Sequence, residues 1–159
     1  MLTTHRAVVL LRAFLVVLFG ILVVFQVLSL PGQFAHMAEE HPDQASWQWP
    51  LTAIAVFWVL CVQVVVVCTW RLLSLVEDDR IFTPASLAWV DGIVAAVAAA
   101  GVVLLGVDLY VAVHADDPGM PMLLFLLSVG VAVFGLVLLV MRALLRQATA
   151  LRTDLEAVI

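Results

Sequence analysis

The chain has 159 residues, room for one domain on length alone. It is 65% hydrophobic and 12% charged, against roughly 45–50% apolar and about 25% charged for a soluble domain, so the inventory is that of a bilayer protein. The seven cations are all arginine, and twelve acids bring the net charge to −5, which leaves no basic surface for nucleic acid.

Residues 13–30 form the first apolar run, preceded by Arg6 and Arg12. Its apolar core exceeds the 7–15 residues usual for a secretory signal, and no small-residue cleavage site follows. It reads as an uncleaved spanning helix that ends at Pro31-Gly32. Residues 33–50 form a polar loop without Lys or Arg, in which Pro31 and Pro42 could bracket a short helix. Trp47 and Trp49 sit where an interfacial aromatic belt is expected.

Residues 51–70 make the second span, closed by Arg71. Cys61 and Cys68 lie inside it, seven apart. That puts them two helical turns apart on one side, too far for a mutual disulfide, and they read as small apolar packing residues. Gln63 falls near mid-membrane, where an amide usually bonds a neighbouring helix.

A connection bearing Glu77, Asp78, Asp79 and Arg80 leads to Thr83-Pro84, which predicts a helix start with a hydroxyl cap and Pro at the first helical position. The third span, residues 87–113, is the longest apolar run, and it carries an acid near each end, Asp91 and Asp108. Ala88, Gly92, Ala96 and Ala100 recur every four residues, and Ala95, Ala99 and Gly106 widen that side. Small residues let helices approach closely in lipid, so this side is expected to be buried in the bundle. A short turn at residues 114–120 precedes the fourth span, residues 122–141. The tail, residues 142–159, spaces Leu144, Ala148, Leu151, Leu155 and Val158 in a 4-3-4-3 seam. It reads either as an extension of the fourth helix that pairs in the cytoplasm or as a helix lying on the inner leaflet.

The predicted fold is therefore all-α, a four-helix transmembrane bundle. All seven arginines flank alternate ends of the spans, and the other two loops have none. By the positive-inside rule both termini are cytoplasmic.

Several constellations could carry chemistry. Asp108 lies about one and a half turns inside its helix end, with Gln26 and Ser128 at a similar depth. An intramembrane carboxylate is costly, which makes it a functional candidate or a group that has found polar partners. As a functional group it would be a proton or cation site; as a structural one it is an interfacial Asp or one bonded to Gln26. Asp91 has Arg71, Arg80 and Arg142 at its depth, which points to a structural ion pair. His36, Glu40 and His41 in the first polar loop could hold a divalent metal such as zinc, but no metal motif is present, and a solvated acidic loop is the competing reading. No C-x-x-C pair, no histidine within a span and no Gly-rich phosphate cradle occurs, so no cofactor and no enzymatic activity are expected.

Read together, Asp79-Arg80-Ile81-Phe82-Thr83-Pro84 and the closing Leu151-Arg152-Thr153-Asp154-Leu155-Glu156-Ala157-Val158-Ile159 resemble a bacterial family known only as domain of unknown function 2975. Its members have four spans, an Arg-x-Phe-[Ser/Thr] step before the third span and a short acidic-apolar tail. The resemblance implies a multi-pass protein of the bacterial cytoplasmic (inner) membrane. It brings no established activity and no catalytic residues. The leading expectation is a non-enzymatic accessory, sensor or interaction subunit in contact with the lipid bilayer, acting with further copies of itself or with another membrane protein. The alternative is a small transporter or channel subunit with Asp108 as the ion-coupling residue. No small-molecule ligand is specified by the sequence.

Overall fold

The computed structural model describes residues 2–30, 32–33, 36, 48–78, 83–115 and 117–158. These are helical apart from short turns. Helix α1 is Leu2–Val24, continued by a π-helical turn, Phe25–Ser29. Helix α2 is Gln48–Glu77, α3 is Pro84–His114 and α4 is Gly119–Val158. All four are long and apolar enough to cross a membrane, the construction of a multi-pass membrane protein. The reason is composition: a run of Val, Leu, Ile, Phe and Ala in hydrocarbon must satisfy its backbone polar groups internally, and a helix does so.

The chain divides into two compact units, residues 1–70 and 71–159. In the first, α1 carries apolar side chains on nearly every side; Leu15 on it and Leu30, just after the π-helical turn, are buried. Its π-helical turn contains Gln26, which is half-buried. On α2, Gln63, Val66 and Trp70 form one stripe by their three- and four-residue spacing, and Gln63 and Val66 are buried. The Arg12 guanidinium sits over Trp70, 5.3 Å from the ring centroid, within cation–π range. Cys61 and Cys68 are both free thiols.

In the second unit, α3 and α4 form an antiparallel pair. Thr83 is extended and Pro84 opens the helix, but the Thr83 hydroxyl makes no capping bond to it, contrary to the expectation of a hydroxyl cap. Ser86 closes the turn instead. Its backbone N–H and its Oγ both donate to the Thr83 carbonyl, at 3.1 and 2.8 Å. At the other end, the Ala115 N–H donates to the Val111 carbonyl at 2.8 Å. His114 Nδ1–H donates to the Tyr110 carbonyl at 2.9 Å, and the two rings stack 4.3 Å apart.

The register of the pair shows in four contacts. Asp91 meets Arg142, Val97 meets Gly135, Gly101 meets Val131 and Asp108 meets Ser128. Moving up α3 moves down α4, as in an antiparallel pair. A Cβ placed on Gly101 would lie 3.3 Å from Val131 Cγ1, and one on Gly135 would lie 3.8 Å from Val97 Cγ1. Two reciprocal glycine–valine contacts thus set the approach of the helices.

The small-residue side of α3 is not the side turned to α4. Of Ala88, Gly92, Ala95, Ala96, Ala99, Ala100 and Gly106, Ala96 alone is buried. A Cβ on Gly106 would meet nothing within 4 Å. The physical reason lies in the acids. Asp108 lies well round the helix from the alanine side, and leaving it or Asp91 unpaired in lipid costs more than close alanine packing gains. The polar pairs choose the rotation of α3, and one glycine on each helix accommodates it.

Helix α4 runs unbroken through Arg142. Its 40 residues span about 60 Å at about 1.5 Å per residue, twice the roughly 30 Å hydrocarbon core of a bilayer. The tail is continuous with the fourth span as one helix, through Val158.

Candidate functional site

The polar groups of the α3–α4 pair gather at its two ends. At the Pro84 end of α3, Arg142 forks onto Asp91. Nε donates to Oδ1, and Nη2 donates to Oδ2 at 2.9 Å. Both side chains are half-buried. The two-point geometry suits a planar guanidinium and a carboxylate, and it ties the beginning of α3 to α4. Arg71 does not reach Asp91; its guanidinium lies over Trp89, 5.6 Å from the ring centroid. Arg80 lies outside the described residues.

Near the His114 end, the Ser128 hydroxyl donates to Asp108 Oδ2 at 3.5 Å, a long bond between two buried side chains. Asp108 is 8% exposed. It stands six residues before His114, so about 9 Å along the axis from the end of α3. Its surroundings explain its burial. A groove of about 570 Å³ runs between the ends of α3 and α4, and Asp108 shares its wall with Leu105, Leu109, Ala112, Met122 and Phe125. A second groove of about 350 Å³ continues along the same pair, from Leu105 and Ser128 to Val94 and Leu139. The walls of both are almost wholly apolar. This arrangement can hold an apolar body and present one carboxylate to it.

The remaining candidates belong to the first unit or lie outside the described residues. Gln63 is buried on α2, and Gln26 sits in the π-helical turn of α1; both belong to the first unit. His36 is helical, whereas Glu40 and His41 lie outside the described residues, and with them the proposed metal set. Among the described residues, no three His, Cys, Asp or Glu side chains gather as a metal site.

Four features of the structure have no counterpart in the sequence reading. These are the two glycine–valine contacts, the closing role of Ser86, the π-helical turn around Gln26, and the Arg12–Trp70 and Arg71–Trp89 stacks. The cation–π pairs had a legible signal, since arginine and tryptophan flank the same span ends. The glycine contacts had none, because Gly101 and Gly106 are indistinguishable until α4 is in place.

Of the comparisons with known proteins, one gives a match. The family model described as protein of unknown function (DUF2975) matches residues 32–159, which takes in α2, α3, α4 and the stretch before α2. No curated protein and no solved structure matches the chain.

Proposed function

The chain belongs to the DUF2975 family, and from that premise we propose that it is a non-enzymatic interaction subunit of a bacterial cytoplasmic membrane, with both termini in the cytoplasm. The observation that carries this reading is the far part of α4. Beyond Arg142 the helix continues for sixteen more described residues, to Val158, about 24 Å at about 1.5 Å per residue. Leu144, Leu151 and Leu155 stand on its side away from Asp91, exposed by 55, 65 and 67%. Three leucines at coiled-coil spacing, on a helix projecting from the bilayer, form a seam for another helix. Because α4 is one rigid element, whatever binds the seam is mechanically joined to the α3–α4 pair. The orientation is supported by the placement of all seven arginines at alternate span ends.

The test is cross-linking of the full chain in its native membrane, with and without Leu151→Glu and Leu155→Glu together. The expected result is a dimer or a discrete hetero-complex that the double variant abolishes. Recovery of monomer alone from the unmodified chain would refute the proposal. A tag-accessibility assay that finds the C terminus outside would refute the orientation.

A further inference from the structure

The grooves beside Asp108 carry an inference that goes beyond the interaction role. We infer that the α3–α4 groove is a binding site for a membrane-dissolved amphiphile with an apolar chain and a single protonated amine. Its ammonium would sit at the Asp108 carboxylate, and its chain would lie along the groove toward Val94.

Three observations converge on this chemistry. First, Asp108 is a buried carboxylate whose partner among the described side chains is one hydroxyl at 3.5 Å. A carboxylate accepts about four hydrogen bonds when fully engaged, so acceptor capacity remains. A charge in a low-dielectric wall gains most from a counter-charge. Second, the two grooves share Leu105 and follow one another along the pair. From the level of Asp108 to that of Val94 is fourteen residues, about 21 Å along α3, room for an extended alkyl chain. The walls, such as Ala98, Leu136 and Phe125, offer such a chain dispersion contacts and no polar competition.

Third, the charge distribution selects among amines. The described arginines of this unit, Arg71, Arg142, Arg146 and Arg152, belong to the opposite end of the pair from Asp108. Asp108, His114 and Asp117 belong to the other end, and the His114 Nδ1 is engaged with the Tyr110 carbonyl. A phosphate next to the ammonium would find an acid and none of this unit's described arginines at that end. The occupant is therefore an unphosphorylated lipophilic amine rather than an aminophospholipid. A quaternary head has no N–H to donate and loses the charge-assisted bond, so a primary or secondary amine is favoured.

The experiment uses the full chain in nanodiscs of phosphatidylcholine. Thermal unfolding is followed with dodecylamine, dodecan-1-ol, dodecanoic acid or phosphatidylethanolamine added. Dodecylamine is expected to raise the unfolding temperature in a saturable way, and the other three are not. Asp108→Asn is expected to weaken the dodecylamine effect by about tenfold or more, the weight of one charge-assisted hydrogen bond. Ala112→Trp, which fills the groove and leaves the carboxylate in place, is expected to weaken it comparably. Gly106→Leu, at an exposed position outside both grooves where an added Cβ meets nothing within 4 Å, is expected to retain binding, which separates loss of the ligand site from a general effect of substituting α3. Equal protection by the alcohol, an unchanged dodecylamine response in Asp108→Asn, or preferential protection by phosphatidylethanolamine would each overturn the inference. A Leu109→Cys variant that forms disulfide-linked dimers at high yield without ligand would show a second copy in the groove and would overturn it too.

Discussion

Gly101 and Gly106 lie five residues apart on the same apolar helix, yet the structure predicts opposite tolerance to a larger side chain. A Cβ at Gly101 falls 3.3 Å from Val131 Cγ1, whereas one at Gly106 meets nothing within 4 Å. Carbon atoms pack best at about 3.5–4.0 Å, so alanine at 101 asks the helices to yield by a few tenths of an ångström. That cost is of the same size as the roughly 0.8–1.0 kcal/mol that alanine gains over glycine in a helix, and Gly101→Ala is expected to be near neutral. Gly101→Leu has no such compensation. It places further carbons in the interface and should cost about 1–3 kcal/mol as overpacking. The separation it forces also strains the Asp108–Ser128 bond, which at 3.5 Å is already at its limit. Gly106→Leu, on an exposed surface, should be neutral or mildly stabilising. The assay is equilibrium unfolding in mixed micelles with a rising fraction of denaturing detergent. Val131→Ala added to Gly101→Leu should recover a large part of the loss, because it removes the atom that clashes. If Gly101→Leu proves no worse than Gly106→Leu, the helix register described here is incorrect.

The remaining predictions concern the polar pairs and the tail. Asp91→Asn and Arg142→Gln should each destabilise the α3–α4 pair, and the double variant should lose less than the two together; strict additivity in that cycle would mean the fork contributes nothing. Asp108→Leu should make membrane insertion of the isolated third helix more favourable, by about 1–3 kcal/mol given that intramembrane aspartate costs about 2.5–3.5 kcal/mol at the helix centre and less toward the ends; a glycosylation-mapping insertion assay that shows no change would count against a bilayer-embedded Asp108. Leu151→Glu with Leu155→Glu should abolish cross-linked complexes and leave unfolding of the α3–α4 pair unchanged, since both leucines are exposed; a matching loss of stability would mean that the seam packs within the chain.

How much of this was legible beforehand differs by kind of feature. Asp91 and Asp108 stood out because a charge in an apolar run violates its own surroundings, and that conflict is local. Their partners are a different matter. Arg71, Arg80 and Arg142 are equivalent at the level of depth, and only the register of α4 selects Arg142. The alanine side of α3 shows the same limit from the other direction. Its spacing every four residues is a true helical face, but spacing does not say which way a face points, and here α4 lies elsewhere.

Hydropathy acts along the chain, each residue adding its own transfer free energy, so the existence and approximate extent of four spanning helices follow from the amino-acid order alone. The family relation, too, was written in short local motifs. Rotation and register are not additive along the chain. They come from a competition between pairing two acids, seating two valines on two glycines and keeping α4 continuous past Arg142, and that competition has an outcome only when the helices are brought together in space.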